Sequence, residues 1–267
     1  MLYWVAGRED GCRDIENFVT VANQGMRFSI AAFAAWAPGL ETEEAWLEWS
    51  SGHRSIEGES EPTVRAMAPM LRRRAGALAK MALEVAYRCL GERRDVPMVF
   101  CSRHGETERS VTMLSELANR QPLSPTSFSL AVHNGVGGLF SIARADRANH
   151  IALAAGSSSV EHGVIEACGL LADGEPTVLL VVYDLPLPPL YRSFQDCQEQ
   201  PFAWAWLMES AGSNKLTLAW SPGNPVAAAG ASGLPGGLEV LRFYLLGAPR
   251  LERCRDGRLW IWSRDAR

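Results

Sequence analysis

Apolar positions along the chain fall into two alternating patterns: short continuous runs, and longer stretches that repeat every three to four residues. "RFSIAAFAAW", residues 27–36, is a run of strand type, and Pro38-Gly39 closes it. A short helix is predicted over "LETEEAWLEWSSG", where Thr42 can cap the start, acids fill the first turn and Gly52 follows the end. The polar stretch "HRSIEGESEP" reads as a loop. The strongest helical signal is "APMLRRRAGALAKMALEVAYRCLG". Leu71, Ala75, Leu78, Ala82, Val85 and Cys89 recur there at steps of four and three, and Gly91 stands where a helix should stop. That stripe marks a face turned to the core.

"VPMVFCS" follows as a buried strand, bounded by polar linkers. "ETERSVTMLSELANR" is helical, with Val111, Leu114 and Leu117/Ala118 on one face. Beyond Pro122 and Pro125 lies a segment rich in small residues, "TSFSLAVHNGVGGLFSIARA". The next pattern is strand ("HIALAA"), helix ("SSSVEHGVIEACGLLADG"), strand ("TVLLVVYD"), which predicts a parallel βαβ unit. After the Pro-rich "DLPLPPLY", "FAWAWLMES" and "KLTLAW" read as two neighbouring strands joined by a Gly212-Ser213-Asn214 turn. A Gly/Ala/Pro loop, a helix ("GLEVLRFYLLG") and a strand ("RLWIWS") finish the chain. The predicted class is α/β: a mostly parallel mixed sheet with covering helices and a short C-terminal antiparallel extension. Residues 1–25 have weak periodicity, and the strand pattern begins at a second methionine, Met26. Two readings stand: a leader or non-native extension over 1–25 before a domain spanning 26–267, or an ordinary short N-terminal extension.

Composition narrows the function classes. The 267 residues are 47% hydrophobic and 21% charged, so the core is large enough to need no staples. The net charge is −4 and the densest basic point is the triplet Arg72, Arg73, Arg74, a solvated face or a docking spot; nucleic acid is not expected as a partner. Six scattered cysteines include no C-x-x-C pair, which predicts reduced thiols in a cytoplasmic protein and argues against a cysteine-ligated metal or a disulfide framework; no cofactor is expected. No apolar run approaches the roughly 20 residues that span a bilayer. The N-terminus carries acids too early for a secretory signal.

The candidate chemistry sits in "AAGSSSVEHGVIEAC", at the strand-to-helix junction. A hydrolase elbow wants G-x-S-x-G, and here Gly156, Ser157, Ser158, Ser159 and Val160 lack the second glycine. A serine nucleophile also needs a base. His162 lies five residues past Ser157 on the same helix and points well away, so the neighbourhood supplies none. Capping the helix is the commoner use of such a serine.

The stretch "LSPTSFSLAVHNGVGGLFSIARADRANHIALAAGSSSVEHGVIEACGLLADGEPTVLL" resembles the central part of β-ketoacyl synthases, the condensing enzymes of the thiolase fold. Ser124-Pro125, then Asn134 with Gly135, Gly137 and Gly138, match that family's helix and small-residue run. The family's A-C-x-S elbow then falls on Gly156-Ser157-Ser158-Ser159, which puts Ser157 where the catalytic cysteine would stand. Such synthases draw two histidines from a second half-fold; fewer than 60 residues follow "FAWAWLMES" here, and none is histidine. The front of the domain, "IAAFAAWAPGLETEEAWLEWSSG" and "MLRRRAGALAKMALEVAYRCL", is similar to the short β-ketoacyl-synthase-like chain length factors of aryl polyene pathways.

That resemblance implies a subunit with no independent activity and no cofactor. It implies pairing with a catalytic ketosynthase as a heterodimer, shaping the tunnel in which a chain grows on an acyl carrier protein. Thr126 to Ile142 corresponds to the interface helix, with Gly135, Gly137 and Gly138 permitting close approach. Thr126, Ser127, Phe128 and Val132 would form the tunnel floor, while Phe128 is also a candidate for plain core packing and Asn134 for holding backbone. Two other classes stay open: a hydrolase, acyltransferase or decarboxylase-like enzyme using Ser157 with a base from His133 or His104, and an orphan carrier-protein-binding scaffold.

Overall fold

A computed structural model describes residues 25–213, 215–223 and 233–264. The leader reading rests on residues outside that range, Gly25 excepted; Asn214 and most of the Gly/Ala/Pro loop are also outside it.

The strands are β1 (Met26–Trp36), β2 (Met98–Cys101), β3 (His150–Leu153), β4 (Val178–Asp184), β5 (Phe202–Glu209), β6 (Lys215–Pro222), β7 (Arg250–Arg255) and β8 (Arg258–Arg264). The helices are α1 (Glu43–Ser50), α2 (Pro69–Arg72), α3 (Ala77–Leu90), α4 (Thr107–Ala118), α5 (Pro125–Ala131), α6 (Gly135–Arg144), α7 (Ser159–Ala172) and α8 (Gly236–Leu245). The strands form one sheet in the order β3-β2-β4-β5-β1-β6-β8-β7. The sheet is mixed, as expected, with covering helices. β2 pairs parallel with β3 and β4, so the predicted βαβ unit exists with β2 inserted between its strands. Its antiparallel share is larger than the sequence suggests, because β5 runs antiparallel to both β4 and β1. β5 and β6 are not neighbours: each pairs with one side of β1, whose eleven residues serve both partners.

Strand alternation sorts side chains into two layers. Val178, Leu180 and Val182 of β4 point into one core with α1, α7 and α8. Leu179, Val181 and Tyr183 point into the other, against α3 and α6. The α3 stripe behaves as its period predicts, with Leu78, Ala82, Val85 and Cys89 buried. The single long helix expected there is instead two. Residues 73–76 break it, because Gly76 is extended (φ −72, ψ 178) and the Arg109 side chain presses on it. Thr42 caps α1 as expected, its hydroxyl oxygen accepting from the Ala45 amide at 3.3 Å. The turn between β7 and β8 is Asp256-Gly257, with φ of 51° and 71°, the paired left-handed conformation of a tight hairpin. Among the described residues no helix is long and apolar enough to cross a membrane.

Five large aromatic rings converge where the sheet meets α8. Trp206 has its ring centre 4.5 Å from Trp204, 5.2 Å from Tyr244, 6.3 Å from Phe28 and 6.4 Å from Trp262. It is fully buried, and its indole N–H has no hydrogen-bond partner among the described residues. Trp206→Ala is expected to lower unfolding free energy by about 3–5 kcal/mol in denaturant titration, through the cavity it leaves. Trp206→Phe, which keeps an aromatic ring and removes the unpaired donor, is expected to cost less than about 2 kcal/mol. Equal losses for the two variants would contradict this account of the cluster.

Candidate functional site

The elbow follows β3. Gly156 takes a φ of 54°, residues Gly156–Ser158 make one tight 3-10 turn, and α7 begins at Ser159. Each serine is already committed. Ser157 Oγ donates to Asp256 Oδ2 at 2.9 Å, and Ser158 Oγ donates to the same oxygen at 2.6 Å. Ser159 Oγ accepts from the Ala155 amide at 2.9 Å and donates to the Gly156 carbonyl at 2.8 Å. Ser157 therefore does not cap the helix, against expectation. The hairpin turn delivers a carboxylate, and the hydroxyl turns to it.

A second group from the same hairpin closes the site from behind. The Arg253 guanidinium, with 2% of its side chain exposed, lies between two buried acids. Its Nε donates to Glu239 Oε2 at 2.7 Å, its Nη1 to Glu161, and its Nη2 to the Ser157 carbonyl at 3.2 Å. Trp262 Nε1 also donates to Glu161 at 3.3 Å. Burial opposes the arginine's charge, and the two carboxylates outweigh it, holding the guanidinium above its ordinary pKa. A Cβ at Gly236 would collide with this guanidinium, so α8 can start there only with glycine.

No imidazole reaches Ser157. His162 Nδ1 lies 2.9 Å from the Ser158 carbonyl, one turn back along α7. His133 Nε2 lies 3.1 Å from the Leu153 carbonyl, and His104 Nε2 is 3.4 Å from Glu199 Oε1. Burial, with Arg103 beside it, lowers the His104 pKa against the pull of Glu199. Asp256 is a weak base for a serine hydroxyl, so the elbow lacks the pairing that nucleophilic catalysis needs. The buried thiols do not substitute for it. Burial pushes Cys89 and Cys168 up to about 12 and Cys197 to about 11, the reverse of activation. Among the described residues, no group of His, Cys, Asp and Glu could hold a metal ion.

The segment read as one interface helix, residues 126–142, is two helices meeting at residues 132–134. Phe128 is 63% exposed, so the core-packing alternative fails, and Val132 and Ile142 are exposed with it. Asn134 stands at the start of α6 but its side chain caps nothing; its carbonyl accepts from the Gly138 amide. Gly135 and Gly137 serve packing within this chain: a Cβ at Gly137 would fall 2.7 Å from the His150 ring, and one at Gly135 3.1 Å from the Leu130 carbonyl. Only Gly138 opens outward, with nothing within 4 Å of a Cβ. Thr126, Val132, Asn134 and Gly138 line an open concavity of about 370 Å³; Ser127 lines a different one, of about 260 Å³.

Sequence reasoning missed Asp256, Arg253 and Glu161. The Asp-Gly pair in "CRDGRL" is a hairpin signal that would have placed Asp256 in a turn. Nothing local links Arg253 to Glu161, 92 residues away.

A mixed eight-stranded sheet covered by helices, with an elbow at the end of β3, is the architecture of the thiolase-like ketosynthase fold. The sequence matches beta-ketoacyl synthase N-terminal domains over residues 46–263, and the chain belongs to that family. Among solved structures, it is similar to a chain in the complex of the ketosynthase ApeO with its chain length factor ApeC from Xenorhabdus doucetiae. The two are 27% identical with a TM-score of 0.78, over 90% of this chain and 100% of that one. The ishigamide ketosynthase/chain length factor is 12% identical, with a TM-score of 0.59, over 74% of this chain and 68% of that one. A chain of AntDE:AntF, a type II PKS acyl-carrier protein in complex with its ketosynthase, is 10% identical, with a TM-score of 0.66, over 91% of this chain and all of that one. No curated protein matches. The fold is thus one shared by ketosynthases and by proteins found in complex with chain length factors.

Two outcomes are expected. Arg253→Met leaves Glu161 buried without its cation, while Glu239 keeps Arg255 at 3.8 Å, and should cost about 3–5 kcal/mol in chemical unfolding; a loss below 1 kcal/mol (about the worth of an exposed pair) would show the network to be incidental. The second concerns Asp184, at the end of β4. Burial pushes its carboxyl up to about 7, against hydrogen bonds to one oxygen from Ser102 Oγ (2.8 Å) and the Arg103 amide (2.9 Å). Between its unfolded value of about 4 and that folded value, the folded chain holds a proton the unfolded chain has released. Stability from this group therefore falls as pH rises through that window. Asp184→Asn keeps an acceptor for both donors, so its melting temperature should gain on the native chain from pH 4 to 7. Parallel curves would contradict the assignment.

Proposed function

We propose that the protein is a non-catalytic, chain-length-factor-type subunit. It pairs with a catalytic ketosynthase and shapes the tunnel in which an acyl chain grows on a carrier protein, in elongation of the aryl polyene type. In this reading the domain spans residues 26–267 and works in the cytoplasm.

The observation that carries the reading is the surface formed by α4, α5 and α6. No residue of α4 is buried, and its apolar face, including Leu114 and Leu117, looks outward. Leu123, Phe128, Val132 and Ile142 continue the exposed apolar positions along the chain. An apolar surface of this kind marks an interaction site on a soluble protein. β3, which contacts α6, is an edge strand with a hydrogen-bonded neighbour on one side only. The elbow supports the same reading: Ser157, which the resemblance puts at the nucleophile's position, has its hydroxyl on Asp256 and no imidazole hydrogen-bonded to it among the described residues.

The test is co-expression with a ketosynthase of the aryl polyene type. A stable complex is expected, burying the large apolar interface of an obligate pair. Gly138→Trp should abolish it while leaving the melting temperature unchanged, because a Cβ at Gly138 meets nothing within 4 Å among the described residues. Survival of the complex in that variant would place the interface elsewhere. In the reconstituted pair, Phe128→Ala should lengthen the product and Ser127→Phe should shorten it, read as the mass of the released chain. A hydrophobic tunnel discriminates by about 1–3 kcal/mol per methylene, enough to shift a product distribution by about tenfold or more. An unchanged length distribution in both variants, with the complex intact, would make these side chains structural only.

A further inference from the structure

β7 is the last strand of the sheet, and among the described residues it pairs with β8 alone. Which of its backbone groups face outward follows from the hairpin. Arg255 and Arg258 flank the two-residue Asp256-Gly257 turn and stand opposite each other, as do Arg253 with Trp260 and Leu251 with Trp262. The Arg264 amide donates to the Pro249 carbonyl at 3.1 Å, which marks this set of pairs as the hydrogen-bonded one. Antiparallel ladders alternate, so the N–H and C=O groups of Arg250 and Glu252, which lie between those pairs, point away from β8. An edge of this kind is a template for another strand, and charged side chains are a common means of blunting it. Here the charges alternate in sign. Arg250 and Glu252 are both exposed and bridge along their own strand, Arg250 Nε donating to Glu252 Oε1 at 2.8 Å. Side chains alternate between faces, so Leu251 lies on the other face of β7. There it borders a concavity of about 200 Å³ with Phe243, Leu246 and Ala248, and Leu246 is 52% exposed.

We infer that β7 pairs antiparallel with β7 of a second copy of this chain, across a two-fold axis at Leu251. The charges select the occupant. Outward-pointing residues of one strand must meet outward-pointing residues of the other. A two-fold at Arg250 or at Glu252 sets like charges opposite each other, which destabilises a strand pair. A two-fold at Leu251 sets Arg250 of each copy opposite Glu252 of the other, making two cross-strand ion pairs. The two Leu251 side chains then meet on the opposite face, beside the apolar concavities of both copies. Such an isologous contact closes on itself and makes a dimer. β7 lies at the far end of the sheet from β3, so this pairing leaves the α4 to α6 surface open. The inference does not rest on the ketosynthase reading; where both hold, the assembly contains two chains of each kind.

The test is sedimentation equilibrium of the full chain over a range of concentrations, without any ketosynthase. The native chain and Gly138→Trp should both reach twice the chain mass, since Gly138 lies on the other surface. Arg250→Glu and Glu252→Arg should each weaken self-association by at least about tenfold, because each sets like charges opposite twice. Mixed in equal amounts, these two variants should associate again, which also shows that each one folds. The double variant Arg250→Glu/Glu252→Arg should regain the native mass, because the Leu251 register again sets opposite charges face to face. A chain that is monomeric at every concentration overturns the inference, whatever other strand takes this edge. A dimer that survives both single reversals, or a double variant that stays monomeric, overturns it as well. A dimer lost in Gly138→Trp belongs to the α4 to α6 surface, and that result also overturns it.

Discussion

The arrangement depends on one buried cation. Arg253 reaches from β7 across the end of the sheet, grips Glu161 on α7 and Glu239 on α8, and donates to the carbonyl of Ser157. Taking three charges out of water is costly, and the geometry must be good in every direction for the group to be tolerated. That requirement fixes three elements at once: the C-terminal hairpin, the helix that follows the elbow, and the helix that starts at Gly236. With the hairpin held there, its turn brings Asp256 onto the hydroxyls of Ser157 and Ser158. The resemblance puts a condensing enzyme's nucleophile at Ser157, and here that hydroxyl is hydrogen-bonded within the fold.

In the proposed reading, function lies around α4 to α6 and not at the elbow. At the elbow the three serine hydroxyls are committed to partners within the fold. Around α4 to α6 apolar side chains are exposed. That surface is, in the same reading, where a second protein completes the fold. In the proposed pairing the chemistry belongs to the partner, and this chain contributes shape.

The elements were legible where one local rule decided them. β1, α1 with its Thr42 cap, the buried face of α3 and the run of β4 all follow from period and capping. What was not legible depended on pairing at a distance. β5 and β6 are consecutive and look like a hairpin, yet β1 separates them, pairing antiparallel with each. The period along α4 revealed an apolar face but not its direction, since outward and inward faces share one spacing. Phe128 carried the same ambiguity. Ser157 could be placed at the nucleophile's position by resemblance, but its partner, Asp256, lies 99 residues away in a turn. The Arg253 network had no signal at all, because buried ion pairs between distant segments leave no periodic trace.

The central claim is that this chain has the ketosynthase fold without its covalent chemistry. Intact mass measured after exposure to an acyl thioester tests it most directly, with this chain and a catalytic ketosynthase in one reaction. The account predicts an acyl adduct on the ketosynthase and an unmodified mass for this chain. An adduct on this chain that disappears in Ser157→Ala would contradict it.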